Sequence, residues 1–306
     1  MRAFFQLIRW QNLAFIFITQ LLFEYCVIKP EFAKVAETPN LRAPYIFLLA
    51  FSSVLIAAGG NIINDYFDVN IDQINKPDKL IIGKYIHRHW AILYHILCSV
   101  FGVVIGFWIE FKTHAFLLGL ANFICVALLF FYSVYFKRKP LSGNIIIALL
   151  TAWTVLVISF CEINFIFHSE LNKQKITRLT FLYAGFAFII SLIREMIKDM
   201  EDVEGDRKYS CRTFPIVFGM NAAKIYSATW LMILCAMLLV MIFYVLQFGW
   251  WIAAAYTLLC ILIPSVKILS DLFKVNDSTG FHRLSSAVKW VMLAGILSMI
   301  FLLVRK

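Results

Sequence analysis

The chain has 306 residues, of which 62% are hydrophobic and 15% are charged. Soluble domains are about 45–50% apolar and about 25% charged, so this composition excludes an ordinary soluble domain. The formal net charge is +10, and we interpret it as loops that face anionic lipid, because the chain carries no basic and aromatic module for nucleic acid.

Apolar runs near the ~20 residues that cross a bilayer follow one another along the whole chain. They lie at 11–29, 44–64, 90–110, 115–136, 143–163, 179–198, 222–247, 249–270 and 285–304. Such segments must be helical, because lipid offers the backbone no hydrogen-bond partners. The sequence therefore predicts an all-α fold: a polytopic membrane protein with a bundle of about nine transmembrane helices, forming one domain over residues 1–306.

Basic residues indicate how this bundle lies in the membrane. Of the 28 Lys and Arg residues, about two-thirds fall on the side that holds the N-terminus and the loops after the second, fourth, sixth and eighth runs. The positive-inside rule then places the N-terminus in the cytoplasm. We expect a multi-pass protein of the cell membrane.

Three carboxylates stand together at the end of the second apolar run: Asp65, Asp68 and Asp72. Steps of three and four residues keep them within an arc of roughly 60° on a helix. Asn64 lies four residues before Asp68, so its amide can join the same face. Like charges placed in this way repel each other, and the pattern therefore indicates cations between them.

The same spacing recurs at the end of the sixth run, in Asp199, Asp202 and Asp206. Lys198 precedes this cluster as Asn64 precedes the first, which indicates a diverged internal duplication of Asp-rich motifs. Four crossings separate the clusters, so both are expected at the cytoplasmic face. Glu201 and Glu204 fall off the shared helix face and are expected in solvent.

Asp-rich helices that hold Mg²⁺ suit a diphosphate, because hard cations with few protein carboxylates bridge to phosphate oxygens. Lys and Arg side chains complete such an anion site. If the diphosphate leaves an allylic chain, the metal stabilises the departing negative charge. The bilayer interior would accommodate the hydrocarbon tail, and some of the 30 Phe and 12 Tyr residues would offer aromatic faces to a carbocation.

Two segments resemble the paired signatures of the UbiA-type intramembrane prenyltransferases. Residues 64–72 (NDYFDVNID) with 74–79 (INKPDK) are similar to the first signature, and 194–207 (REMIKDMEDVEGDR) to the second. The resemblance covers essentially the whole chain and implies an all-helical membrane fold. It also implies a Mg²⁺-dependent transferase that moves a prenyl group from its diphosphate to a lipophilic acceptor.

The resemblance implies roles for individual residues. Metal ligands are expected at Asp65, Asp68, Asp72, Asp199, Asp202 and Asp206. Diphosphate contacts are expected at Asn64, Tyr132, Lys137, Lys79, Arg9 and Asn12. The catalytic set would be Asp68, Asp72, Asp202, Asp206 and Lys198. The loop 76–80 departs from the family by carrying Lys where Arg is frequent, so charge is kept while the bidentate fork of Arg is lost.

The second signature is most similar to the branch of the family that prenylates geranylgeranylglyceryl phosphate in ether-lipid synthesis. An aromatic acceptor, as in quinone or haem biosynthesis, is the alternative within the family. A membrane transporter is the alternative of another class, although the acidic groups cluster at one membrane face and do not line the midplane. The expected partners are a prenyl diphosphate, the acceptor and lipid, with neither nucleic acid nor an obligate protein partner.

Overall fold

The computed structural model describes residues 2–77, 80–162 and 173–303. Regular structure in these ranges is helical. The α-helices are α1 (Arg2–Leu7), α2 (Trp10–Phe23), α3 (Lys29–Lys34), α4 (Ala43–Asn75), α5 (Arg88–Thr113), α6 (Leu118–Val134), α7 (Ser142–Cys161), α8 (Lys173–Glu201), α9 (Val203–Lys208), α10 (Phe214–Phe218), α11 (Met220–Leu246), α12 (Trp251–Tyr256), α13 (Ile263–Leu272) and α14 (Ser278–Leu297).

Eight helical segments of the described residues are long and apolar enough to cross a membrane: Trp10–Lys34, Ala43–Asn75, Arg88–Thr113, Ser142–Cys161, Gln174–Glu201, Met220–Leu246, Trp251–Leu272 and Ser278–Leu302. The remaining predicted span, 115–136, corresponds to α6. Its 17 residues extend about 26 Å, slightly less than the ~30 Å hydrocarbon core. The prediction of an all-α, multi-pass integral membrane protein is confirmed.

Two of these spans contain a π-helical turn that is followed by a proline. Glu24–Ile28 joins α2 to α3, which has Pro30 in its first turn. Thr257–Leu262 joins α12 to α13, which has Pro264 in its first turn. Proline cannot donate a backbone hydrogen bond, and its ring crowds the carbonyl four residues earlier. The wider turn ahead of each proline accommodates that crowding and keeps the span continuous.

The helices form two compact units. The first unit comprises Met1–Lys137 with Trp153–Leu182, and the second comprises Arg138–Ala152 with Tyr183–Lys306. In the first unit, α4 packs against α2, α5 and α6. A Cβ atom on Gly102 would lie 2.6 Å from Ile56 Cγ1, so only glycine lets α5 approach α4 this closely.

One buried carboxylate in the first unit binds a loop to the end of α7. Glu162, fully buried, accepts hydrogen bonds from the backbone N–H groups of Asn40 (2.8 Å) and Leu41 (2.7 Å). Burial nevertheless raises the pKa of Glu162 from 4.5 to about 7, although those two hydrogen bonds oppose the shift. The folded protein therefore holds this proton more tightly than the unfolded chain does.

This raised pKa predicts a pH dependence of stability. The contribution of Glu162 is fully present below pH 4.5 and is lost as the pH rises towards about 7, a loss on the order of 3 kcal/mol. Between pH 5 and 8 the melting temperature should therefore fall more steeply for the wild type than for Glu162→Gln, whose side chain cannot ionise. Parallel slopes for the two proteins would contradict the assignment.

The second unit has a core of apolar side chains from α8, α11, α13 and α14. Ile193 and Ile197 of α8 are fully buried among them. Lys224 of α11 is also buried, and its Nζ donates to the carbonyl of Val275 (2.6 Å) and to Asn276 Oδ1 (2.8 Å). These bonds fix the loop that precedes α14, because a buried ammonium group without acceptors is strongly destabilising.

Candidate active site

The first Asp cluster lies in the last turns of α4, in the first unit. Asn64, Asp68 and Asp72 are spaced by four residues along this unbroken helix, so they share one face as predicted. Asn64 is 8% exposed and Asp68 is 5% exposed, whereas Asp72 is half-buried. Helix α4 thus presents an amide and two carboxylates in a row.

Asp68 is held by two donors. Asn64 Nδ2 donates to Asp68 Oδ2 at 2.8 Å, and Lys137 Nζ forms an ion pair with the same oxygen. Lys137 reaches Asp68 from the 3₁₀ turn Phe136–Arg138 that follows α6. Burial is the largest single influence on the pKa of Lys137 and lowers it, but the charge of Asp68, the hydrogen bond to Asp68 and the charge of Asp72 act together with smaller contributions to hold that pKa above its usual value. Lys137 is therefore a cation at any working pH.

Lys137 thus lies beside the first Asp cluster, and its contact with a diphosphate stays a prediction. Tyr132 is half-buried in the last turns of α6, five residues before Lys137. Its neighbour Ser133 donates its hydroxyl to the carbonyl of Leu129 (2.9 Å) and so serves the helix backbone. Lys79 lies outside the described residues, and its role stays a prediction.

Arg9 is bound to the remaining carboxylate of the first cluster. Its Nη2 lies 2.6 Å from Asp65 Oδ1, and this charge raises the pKa of Arg9 above its usual high value, against the effect of burial. The backbone of Arg9 is left-handed (φ 54°, ψ 53°) between α1 and α2. Asn61 supports the same break by donating to the carbonyl of Ile8 (2.9 Å). Asn12 lies half-buried in the next turn.

The second Asp cluster lies where α8 ends, in the second unit. Asp199 belongs to α8, Asp202 stands at a break in the helix (φ −97°, ψ 7°), and Asp206 belongs to α9. The N–H of Asp202 still bonds to the carbonyl of Lys198 (2.9 Å), and that of Asp206 to Asp202 (3.1 Å). The predicted helical spacing is therefore nearly kept across the break. Asp206 is 5% exposed.

The acidic residues Glu195 and Asp199 of the second unit have different kinds of partner. Glu195 binds two cations, Lys198 Nζ at 2.8 Å and Arg194 Nη1 at 3.0 Å. Asp199 Oδ2 instead accepts a hydrogen bond from the neutral amide of Asn144, at 2.8 Å. Lys198, predicted to add positive charge at the cluster, is thus engaged by the carboxylate one turn earlier.

The prediction that Glu201 lies in solvent was wrong, whereas Glu204 is exposed as expected. The Glu201 carboxylate is only 7% exposed and lies 2.9 Å from His282 Nδ1 on α14. Ser278 Oγ also donates to the backbone carbonyl of Glu201 (3.1 Å). Helix spacing placed Glu201 off the Asp face correctly, but it could not show that α14 covers the other face.

Three polar residues near the clusters were missed: Asn61, Asn144 and His282. Asn61 and Asn144 lie in or at the edge of apolar runs, where an amide is costly unless it is hydrogen-bonded. This cost was the signal in the sequence that could have identified the two residues. Both amides also lie toward the predicted cytoplasmic ends of their apolar runs, where the Asp clusters are. His282 carried no such signal, because it lies in a polar segment between two runs.

The residues present fit Mg²⁺. Carboxylate and amide oxygens are its preferred protein ligands, and Asn64 Oδ1 is buried without a hydrogen-bond donor among the described residues. Within the described ranges, no three His, Cys, Asp or Glu side chains are arranged as a closed metal-binding group. Mg²⁺ commonly takes one or two carboxylates and fills its other positions with water and substrate phosphates.

Comparisons with known proteins identify the family and the fold. Residues 32–303 match the model of the UbiA prenyltransferase family. The digeranylgeranylglyceryl phosphate synthase of Methanosphaera stadtmanae is 28% identical over 97% of this chain and 98% of the relative. A solved structure of a digeranylgeranylglyceryl phosphate synthase is 23% identical, with a TM-score of 0.60 over 98% of each chain. A UbiA homologue from Archaeoglobus fulgidus, solved with DMAPP and Mg²⁺, is 18% identical, with a TM-score of 0.61 over 97% of this chain and 99% of that one.

Proposed function

The chain belongs to the UbiA prenyltransferase family and is a membrane prenyltransferase, and we propose that it transfers a geranylgeranyl group from its diphosphate to geranylgeranylglyceryl phosphate with Mg²⁺. The observation that carries this proposal is the arrangement on one face of α4. Asn64, Asp68 and Asp72 lie in a row there, and Lys137 forms an ion pair with Asp68. Support for the acceptor comes from the relative of M. stadtmanae, which is similar over almost its full length.

The first cluster supplies both charges that a metal diphosphate needs. Asn64 Oδ1 and the carboxylates of Asp68 and Asp72 would hold Mg²⁺, which neutralises diphosphate oxygens when it is bound. Lys137 balances Asp68 and is a permanent cation, so it can donate to a diphosphate oxygen that arrives beside Asp68. Arg9 is committed to Asp65 and would act by fixing the start of α2 against α4.

The second cluster would hold metal through Asp199, Asp202 and Asp206. Glu195 binds both Lys198 and Arg194, so its single negative charge offsets one of their two positive charges. Lys198 would then be available to a diphosphate oxygen, in the role predicted from the sequence.

The proposed reaction exchanges one C–O bond for another. The bond between the allylic carbon and the diphosphate breaks, and its electron pair leaves with pyrophosphate. The glycerol hydroxyl oxygen forms the new ether bond to that carbon and loses its proton to the pyrophosphate. Lys137 and Lys198 would donate to oxygens of the leaving group, and the carboxylates would hold the metal ions that offset its charge. Apolar helices would keep water from the allylic cation.

The site is proposed to face the cytoplasm, with the N-terminus on the same side of the cell membrane. The distribution of Lys and Arg along the loops supports this orientation. It would also place the anionic diphosphate head group of the substrate at the cytoplasmic face of the membrane. Labelling of introduced cysteines from either side of inverted vesicles would test it.

Replacing Lys137 by Met should weaken turnover of the prenyl diphosphate. The variant keeps much of the apolar stem but loses the charge that balances Asp68 and contacts the leaving group. We expect kcat/KM to fall by about 10–100-fold, measured by steady-state transfer in liposomes. Lys274 is an exposed lysine that follows the C-terminal end of α13. Lys274→Met is the matched control, and its kcat/KM should equal that of the wild type. Equal activity of both variants would remove Lys137 from the mechanism.

The acceptor is tested by radiolabelled geranylgeranyl diphosphate in detergent or liposomes, with and without Mg²⁺. Geranylgeranylglyceryl phosphate and 4-hydroxybenzoate are offered in parallel. Mg²⁺-dependent label in the glycerol lipid is the expected result. Label only in the aromatic compound would keep prenyl transfer but contradict the proposed acceptor, and transfer without Mg²⁺ would contradict the metal requirement.

A further inference from the structure

We propose that Asn144 is a positioning residue, which holds the Asp199 carboxylate in the orientation that binds a divalent cation. This inference rests on the proposed function, because it concerns the metal that the second Asp cluster would hold. Asn144 lies in the first turn of α7 and is 5% exposed. Its Nδ2 donates to Asp199 Oδ2 at 2.8 Å.

The chemistry of the donor distinguishes this contact from a simple packing contact. A neutral amide fixes one oxygen of Asp199 and brings no positive charge that would compete with a metal ion. A cationic partner would cancel the charge of the carboxylate, as Lys198 and Arg194 do at Glu195 one turn earlier. The second unit therefore neutralises Glu195 and orients Asp199, which is the arrangement expected of a ligand and its outer hydrogen-bond partner.

Helix packing determines where the Asn144 amide points. Helices α7 and α8 run antiparallel at this place, because Thr151 Oγ1 and Ser191 Oγ are also hydrogen-bonded, at 3.1 Å. Residues 144 and 151 are two turns apart and lie on the same face of α7. Thr151 thus makes a second polar contact between the same helices, remote from the carboxylates, and it provides a matched control.

The experiment compares the full-length wild type with Asn144→Ala, Asn144→Val and Thr151→Val. The first readout is the binding of Mn²⁺ in the presence of inorganic pyrophosphate, followed by the EPR signal of free Mn²⁺. The second is the Mg²⁺ concentration that gives half-maximal prenyl transfer. Asn144→Val fills most of the space of the amide, so the test survives if Asn144→Ala fails to fold.

Loss of an outer hydrogen-bond partner of a metal ligand typically weakens metal binding by about 10–100-fold. We expect a weakening of that size for both Asn144 variants and none for Thr151→Val. Unchanged Mn²⁺ binding in the Asn144 variants would overturn the inference, as would an equal weakening in Thr151→Val. Because Mn²⁺ binding needs no turnover, absence of transfer in the wild type would refute the proposed function and not this role.

Discussion

Replacement of Asp68 by Ala is expected to lower kcat/KM for prenyl transfer by about a thousandfold. Asp68 is 5% exposed and is the carboxylate on which the donors Asn64 and Lys137 converge. Its removal would delete a proposed metal ligand and leave the Lys137 cation without its partner, and losses of catalytic electrostatic groups are typically 10²–10³-fold each. Steady-state transfer in liposomes at saturating Mg²⁺ measures the effect.

Two controls separate chemistry from folding. Asp271→Ala removes a carboxylate from the surface of the second unit, where it pairs with Lys274 at 3.3 Å, and it should leave transfer unchanged. Circular dichroism and a thermal melt of Asp68→Ala should show a folded helical protein. Turnover near the wild-type value in folded Asp68→Ala would remove the first cluster from the reaction.

Replacement of Asp202 by Ala is expected to have an effect of the same size, about a thousandfold. Asp202 occupies the break between α8 and α9, where its backbone bonds to both Lys198 and Asp206 keep the second cluster together. The variant would lose a carboxylate while these backbone bonds remain. Purified Asp202→Ala is assayed in the same liposomes, with Mg²⁺ varied over a wide range.

The double variant Asp68→Ala/Asp202→Ala gives the sharper result. Residues that act as one catalytic unit have strongly non-additive effects, so a double variant about as inactive as either single variant would assign the two clusters to one step. Independent effects that multiply to about a millionfold would instead assign the two clusters to separate steps. Normal turnover in folded Asp202→Ala would exclude the second cluster.

The fold was largely predictable because lipid offers the backbone no hydrogen-bond partners, so each long apolar run is expected to form a helix. Runs such as 143–163 and 222–247 fall close to α7 and α11, which span Ser142–Cys161 and Met220–Leu246. Helix ends were less predictable: α8 begins at Lys173, six residues before the predicted run. Hydropathy indicates which residues lie in the hydrocarbon core of the membrane. A helix can continue beyond that core where its polar end residues are hydrogen-bonded.

The composition of the site was predictable for a different reason. Spacing by three and four residues places side chains on one helix face whatever the tertiary structure, so both Asp rows followed from the sequence. Contacts between helices did not follow in the same way. The pairs Arg9–Asp65 and Asn144–Asp199 join residues 56 and 55 positions apart, and no local periodicity encodes such pairings.

The break at Asp202 has a consequence for the engineering of metal preference. In the first cluster an unbroken α-helix fixes the spacing of its oxygens, whereas the second cluster bends at Asp202. Mg²⁺ demands near-ideal octahedral geometry, while Ca²⁺ accepts more ligands at looser angles. If the second cluster holds metal as proposed, changes around residues 202–205 would alter ligand angles without unwinding a membrane span. Attempts to shift the enzyme to a larger ion should begin there, and the row on α4 should be left as it is.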